Sequence, residues 1–200
     1  SSFQDGRRQN RNSLSVHREG ERFMKALGEC LEYFQNQQYD EARASLGRLR
    51  MRSLNPIERA KTYRMYAYID YAQGKLDAAR KNLRKAMAEQ SLSRAENAEM
   101  LFQIAQLYLS EERWEDVIAT LDEWFAQEPN PNSASYFMLA LAYYQNADRE
   151  AALEPARQAV RTSLAPKEGW LRLLLALEIT NKNYDLSIPL LEELVRRYPK

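Results

Sequence analysis

Apolar and polar positions between Leu101 and Pro129 follow a pattern that predicts two short amphipathic helices joined by a tight turn. The apolar face of the first helix contains Leu101, Ile104, Ala105 and Tyr108. That of the second contains Val117, Leu121 and Trp124, and Pro129 ends the helix. Helices of this length are marginal alone, so each must bury its apolar face against a neighbour.

The same two-helix pattern recurs along the chain at intervals of 35 to 38 residues. A small side chain early in each second helix stands at Ala42, Ala79, Val117, Ala152 and Ser187. The packing site of each first helix is Cys30, Ala67, Ala105, Ala140 and Leu174, and three places beyond it stand Tyr33, Asp70, Tyr108, Tyr143 and Leu177. In this alignment the fifth copy carries one extra residue near Asn181–Asn183. Five copies in a common register predict an all-α stack of helical hairpins.

These residues resemble the tetratricopeptide repeat, with the third copy matching best: Leu101, Ile104, Ala105, Tyr108, Trp114, Val117, Leu121, Trp124 and Pro129. The fourth copy is similar, with Tyr136, Leu139, Ala140, Tyr143, Ala152, Ala159 and Pro166. The resemblance covers residues 23–200. It implies a right-handed α-solenoid of about five hairpins whose first helices line a concave surface.

A narrower resemblance lies in the segments LDEWFAQEPNP, AALEPARQAV and SIPLLEELVRRYPK. They are similar to tetratricopeptide proteins that accompany TonB-type energy-transduction systems in Gram-negative bacteria. This resemblance implies a periplasmic protein with TonB-complex components as partners; a cytoplasmic location is the alternative.

The composition excludes most catalytic sites. The 29 basic and 28 acidic residues nearly cancel, which argues against a nucleic-acid binder. Cys30 is the only cysteine and His17 the only histidine, so no disulfide, zinc cluster or Cys–His nucleophile is available. Cys30 fills a packing site and is expected to be buried, as are the three tryptophans. We therefore predict no enzyme activity, catalytic residue, metal, cofactor or small-molecule substrate.

The two ends of the chain differ from its middle. Residues 1–20 hold few apolar side chains and four arginines, so we expect a flexible arm, followed by the solenoid over residues 21–200. No polar capping element follows Arg197, although a solenoid needs one at each end. The expectation is that the array continues in a longer protein, or that the terminal repeat self-associates.

The residues expected on the concave surface are those of the first helices that lie away from the packing positions. This groove contains Arg64, Tyr68, Tyr71, Phe102, Gln103, Gln106, Phe137, Met138, Leu141 and Tyr144. Apolar side chains outside the hairpin core are typical of a binding surface for a peptide or helix; contacts between repeats or in a dimer are the alternatives. If they serve binding, alanine at Phe102 and Phe137 should leave the melting temperature nearly unchanged.

The predicted function is a non-catalytic scaffold that binds a protein or peptide partner in this groove. Two alternatives remain at this stage. One is a homo-oligomeric assembly adaptor, and the other, disfavoured by the charge balance, is a helical-repeat RNA binder.

Overall fold

The computed structural model describes residues 2–200, which form ten α-helices, one 3-10 helix and no strand. The helices are α1 (Ser2–Gln35), α2 (Tyr39–Gly47), α3 (Pro56–Ala72), α4 (Leu76–Ala88), α5 (Arg94–Ser110), α6 (Trp114–Gln127), α7 (Ser133–Gln145), α8 (Arg149–Arg161), α9 (Glu168–Thr180) and α10 (Tyr184–Arg197). The 3-10 helix, Met51–Ser53, precedes α3. The odd-numbered helices are the first helices of five hairpins and the even-numbered ones the second. The predicted all-α fold of five hairpins is confirmed.

All five hairpins turn in the same way. In each hairpin, a backbone carbonyl near the end of the first helix accepts a hydrogen bond from the backbone N–H five residues later. Gln38 N–H donates to the Tyr33 carbonyl in the first hairpin, and Asn183 N–H donates to the Glu178 carbonyl in the fifth. The residue before each donor has a positive φ, and these residues are Gln37, Gly74, Glu112, Ala147 and Lys182. A left-handed residue of this kind is the usual way to end a helix tightly.

This shared turn corrects the alignment of the fifth hairpin. Its closing bond accepts at Glu178, nine residues before Ser187, and the other four hairpins have the same spacing. In the first helix of the fifth hairpin, Leu175 and Glu178 therefore occupy the repeat positions that the alignment gave to Leu174 and Leu177. No extra residue lies near Asn181–Asn183. A leucine-rich helix misled the sequence alignment because several of its leucines fit the apolar pattern equally well.

Helix starts follow the capping signals in the sequence. The Asn55 side chain accepts from the Glu58 N–H at 2.8 Å, while Glu58 accepts from the Asn55 N–H at 3.0 Å, and Pro56 is the first residue of α3. Ser93 and Glu96 form the same reciprocal pair ahead of α5. These pairs satisfy N–H groups that have no acceptor inside the helix.

The N-terminal helix starts much earlier than the apolar periodicity, which begins near Phe23. Helix α1 begins at Ser2, but every residue from Ser2 to Arg18 is exposed and the first buried side chain is Phe23. The predicted arm, residues 1–20, is thus helical over its described part, and Ser1 lies outside the described residues. Its flexibility stays a prediction.

The chain divides into two compact units between Asn97 and Ala98. In the first unit the core joins α1, α2 and α3 through Cys30, Ala42, Leu46, Met65 and Ile69. Cys30 is fully buried, as predicted.

The core of the first unit also encloses a carboxylate. Asp70 accepts from Arg43 Nη2 on α2 and from Asn82 Nδ2 on α4, each at 2.7 Å. The carboxylate therefore links three helices and its charge is compensated.

The second unit has two apolar clusters of the same kind. In one, Leu121 on α6 packs with Ala105 on α5 and Leu139 on α7. In the other, Leu171 and Leu174 on α9 pack with Ala156 on α8 and Leu194 on α10. Trp124 and Trp170 are buried, and Trp114 is half-buried against the first cluster, as expected for core residues. Small residues at the helix crossings allow the close approach that this packing requires.

A candidate protein-binding surface

The ten predicted groove residues divide between the two units, and each unit is described separately. Three lie on α3 in the first unit and seven on α5 and α7 in the second. All ten lie on first helices, as the repeat alignment predicts.

On α3, three predicted residues follow one another at intervals of about one helical turn. Arg64 Nη2 donates to Tyr68 Oη at 3.4 Å, and Tyr68 packs against the core cluster. Tyr71 is 62% exposed. The Nε atom of Arg64 is buried and has no hydrogen-bond partner. Along this side of α3, the part-buried Arg64–Tyr68 pair is followed by the exposed ring of Tyr71.

The electrostatics of this region favour an ionised carboxylate next to Arg64. Arg64 Nη1 lies 3.6 Å from Glu96 Oε1. The hydrogen bond from the Ser93 backbone lowers the pKa of Glu96, with further lowering from the Ser93 hydroxyl, Arg64 and Lys61, against the opposing effect of desolvation. The Glu96 carboxylate therefore partly neutralises the Arg64 guanidinium but makes no hydrogen bond to its Nε atom.

On α5, the three predicted residues have different surroundings. The Phe102 ring is half-buried, with its centroid 5.4 Å from that of Trp124. The Gln103 amide oxygen is buried without a donor, and Gln106 is exposed. An unsatisfied buried acceptor thus lies on α5, about one helical turn before a position open to solvent.

On α7, all four predicted residues are half-buried. Phe137 stacks on Trp170 with ring centroids 5.6 Å apart, and Met138 packs against the α6–α7 cluster. Tyr144 lies under the Arg149 guanidinium at 5.4 Å. Leu141 is half-buried like the other three. Most of these side chains therefore contact the core on one side and solvent on the other.

These contacts correct one sequence-based expectation. Phe102 packs against buried Trp124 in a tilted arrangement and Phe137 stacks on buried Trp170, so alanine at either position removes core packing as well as a surface ring. Their truncation cannot separate binding from stability. Tyr71 and Gln106, which are exposed, are the suitable probes.

Sequence reasoning missed two buried ion pairs. In the second unit Glu178 accepts from Arg157 Nη2 at 2.8 Å and from Asn183 Nδ2 at 3.2 Å; in the first unit Asp70 binds Arg43. The alignment contained a signal for one of them, because Asp70 stands where other hairpins have tyrosine.

Three features of residues 2–200 bear on metal binding, thiol chemistry and membrane insertion. Among them there is no group of three or more metal-ligating side chains. Burial raises the pKa of the Cys30 thiol to about 11, which keeps it protonated and unreactive at neutral pH. No helix in this range has both the length and the apolar character needed to cross a bilayer.

Comparison with known proteins agrees with the hairpin architecture. Two family models, both described as tetratricopeptide repeat, match residues 70–141 and 137–200. No curated protein matches the sequence.

Three solved structures illustrate the likeness. MamA (residues 41 to the end) from Desulfovibrio magneticus RS-1 has a TM-score of 0.65 and 14% identity, covering 90% of this chain and 98% of that chain. A tetratricopeptide repeat protein from Parabacteroides merdae ATCC 43184 has a TM-score of 0.68 and 18% identity, covering 90% and 68%. The apo form of RapI has a TM-score of 0.68 and 11% identity, covering 87% and 53%.

At these identities the structural likeness establishes the fold alone. The two matching family models together span residues 70–200, and the chain belongs to the tetratricopeptide-repeat family.

Proposed function

We propose that this protein is a non-catalytic interaction module that binds a protein or peptide partner on the surface of its first helices. Tetratricopeptide repeats are generally non-catalytic, and repeat solenoids bind partners on extended surfaces. The observation that carries the proposal is that first helices of both units carry exposed side chains outside the hairpin cores, Tyr71 on α3 and Gln106 on α5.

These side chains fit the chemistry of a peptide. The amide of Gln106 can donate to a carbonyl oxygen and accept from a backbone N–H. Exposed Tyr71 supplies a large apolar ring with a hydroxyl at its edge, a side chain enriched at protein interfaces. The partner expected here supplies backbone polar groups and apolar side chains.

The sequence resemblance extends the proposal to a location and a partner class. The similarity to tetratricopeptide proteins of TonB-type systems supports a periplasmic protein whose partner is a component of such a complex. Only that resemblance supports this extension.

An affinity purification from the membrane and periplasmic fractions of the source cells tests both parts. We expect the wild-type protein to retain a specific partner, and the Tyr71→Ala and Gln106→Ala variants to retain at most about a tenth as much. The matched control is Glu115→Ala, which alters an exposed residue of a second helix. Equal retention by all four proteins contradicts binding on the first helices; a captured partner from outside TonB-type complexes contradicts the extension alone.

A further inference from the structure

A cleft of about 320 Å³ lies in the second unit between the second helices α8 and α10. Helix α9, which packs against both, contributes buried Leu174 to its lining, and α10 contributes buried Leu190. Half-buried Val160 of α8 and half-exposed Leu186 of α10 line it as well. A cleft of this size is at the lower end of the range for ligand sites and suits one large apolar side chain of a partner.

The preceding repeat has aromatic rings at the positions that line this cleft. Val160 and Glu178 occupy the repeat positions of Phe125 on α6 and Tyr143 on α7. Both rings are half-buried against the apolar cluster that joins α5, α6 and α7, and the Phe125 ring centroid lies 5.2 Å from that of Tyr136. The cleft therefore lies where the preceding repeat is filled by rings.

This side of the second helices is open to solvent even where further hairpins follow. Asp122 and Ala126 of α6 stand at the repeat positions of Arg157 and Arg161 of α8. Both are exposed, although two more hairpins follow α6 in the same unit. The exposure of the cleft is thus a property of its position in the repeat.

Two guanidinium groups stand one helical turn apart at the edge of the cleft. Arg157 donates to the buried Glu178 carboxylate from Nη2 at 2.8 Å and from Nε at 3.3 Å, and its Nη1 lies 3.7 Å from exposed Glu154. Both carboxylates are therefore bound by Arg157. Arg161 is exposed and makes its own end of the cleft positive.

The charges of the two bordering helices otherwise balance. Together α8 and α10 carry five basic and five acidic side chains. On α10, in the turns beyond Leu190, Glu193 accepts from Arg197 Nε at 2.8 Å. The placement of Arg161, rather than a net charge of the helices, therefore decides which ligand group is complementary, and a carboxylate fits the donor geometry of a guanidinium.

We propose that the cleft between α8 and α10 binds an aromatic side chain of a partner protein, with a neighbouring carboxylate of that partner on Arg161. The ring takes the place that Phe125 has in the preceding repeat, against Leu174 and Leu190. This site is bordered by second helices, whereas the proposed function rests on exposed residues of first helices. Either proposal can therefore fail alone.

Three capped tripeptides are the probes: Asp-Phe-Asp, Asn-Phe-Asn and Asp-Ala-Asp. Aspartate on both sides of the ring makes the test independent of chain direction. Each is titrated into the full chain while the methyl signals of Val160, Leu186 and Leu190 are followed by NMR. We expect Asp-Phe-Asp to shift these signals, Asn-Phe-Asn to bind at least about threefold more weakly, and Asp-Ala-Asp at least about tenfold more weakly.

Variants of the cleft test each contact separately. Arg161→Ala should remove the preference for Asp-Phe-Asp over Asn-Phe-Asn, whereas the control Arg172→Ala, at an exposed arginine of α9, should keep it. Val160→Phe introduces the ring of the preceding repeat and should abolish binding. Leu186→Ala introduces the residue of the equivalent position, Ala151, and should weaken binding at least about threefold.

The folding of these variants is checked by circular dichroism, and exposed Leu186 provides a test that does not depend on core packing. Three outcomes would overturn the proposal: no methyl shift with Asp-Phe-Asp, equal binding of Asp-Phe-Asp and Asn-Phe-Asn, or binding that both Leu186→Ala and Val160→Phe leave unchanged. Tyr71→Ala should not alter the titration. Loss of binding in that variant would place the peptide on the first-helix surface and contradict the cleft.

Discussion

Two buried carboxylates, Asp70 and Glu178, are the residues at which the cores depart most from an apolar interior. Each is at most 2% exposed and is held by an arginine of the preceding hairpin. A compensated buried pair contributes little net stability, but removing one partner leaves a charge in a low-dielectric site. Arg43 and Arg157 are therefore expected to be far more sensitive than surface arginines.

Replacement of Arg157 by alanine tests this expectation. It leaves the Glu178 carboxylate with Asn183 as its remaining recorded side-chain donor, so we expect a loss of about 3 kcal/mol in the free energy of unfolding. The control is Arg172→Ala, which breaks an exposed pair with Glu168 and should change stability by less than about 1 kcal/mol. Urea titration measures both; equal losses would show that burial of Glu178 is not what matters.

The Cys30 thiol supplies a pH-dependent prediction. Burial raises its pKa to about 11, above the ordinary value of 9.0, so the folded state retains the proton more strongly than the unfolded state. Its contribution to stability is complete below pH 9 and is lost as the pH rises from 9 to about 11.

The Cys30→Ala variant is the control for that titration. Alanine occupies the same packing position in three other hairpins, at Ala67, Ala105 and Ala140, so this variant should fold with a loss of less than about 1.5 kcal/mol. Its stability should fall less steeply than that of the wild type between pH 9 and 11. Rapid alkylation of native Cys30 at pH 7 would contradict the account.

At the scale of the element, the five hairpin turns share one geometry although their sequences differ. The left-handed position is occupied by Gly74 in one hairpin and by a non-glycine residue in the other four. Because L side chains are strained at positive φ, glycine is favoured there and the other residues are tolerated by the packing around the turn.

Substitution of Gly74 by alanine isolates this strain. A Cβ atom at Gly74 meets nothing within 4 Å, so we expect a loss of about 1 kcal/mol from backbone conformation alone. Gly28→Ala is the matched control: it also has open space, lies inside α1 and should stabilise the protein by about 0.5–1 kcal/mol. Chemical denaturation distinguishes the two signs, and the same sign for both would contradict the assigned turn.

The half-buried aromatic residues of α5 and α7 give the next prediction. Phe102→Ala and Phe137→Ala each remove a ring that packs on a tryptophan, so we expect losses of about 2 kcal/mol and a lower melting temperature. Tyr71→Ala, at an exposed site, should stay within about 0.5 kcal/mol of the wild type. If calorimetry finds all three variants equally stable, Phe102 and Phe137 do not contribute to the core.

Sequence periodicity predicted the helices and their pairing because the 3.6-residue apolar repeat and the capping residues are local signals. It located Cys30, Trp124 and Trp170 in the core for the same reason. It misaligned the first helix of the fifth hairpin by one residue, because Leu173, Leu174 and Leu175 all satisfy an apolar pattern. Only the turn hydrogen bond at Glu178 sets the register of that helix. The ion pairs at Asp70 and Glu178 were missed because the periodic pattern does not identify side-chain partners on neighbouring helices; the aspartate at a tyrosine position was a signal for the first pair only.

At the scale of the whole molecule, the chain consists of five helical hairpins of the tetratricopeptide-repeat family. The formal net charge is +1, the single thiol is buried, and residues 2–200 hold no metal-ligating cluster. The exposed first-helix residues, Tyr71 in the first unit and Gln106 in the second, are the positions at which the proposed partner would bind. Binding on extended surfaces is the role that repeat solenoids commonly fill.

Site-specific photocrosslinking in the source cells tests the central claim most directly. A photoreactive amino acid is placed at Tyr71 or Gln106 on first helices, and at exposed Ala119 on α6 as the control. The account predicts discrete protein adducts from Tyr71 or Gln106 and none from Ala119, identified by mass spectrometry. Adducts from Ala119 with none from Tyr71 and Gln106 would contradict it.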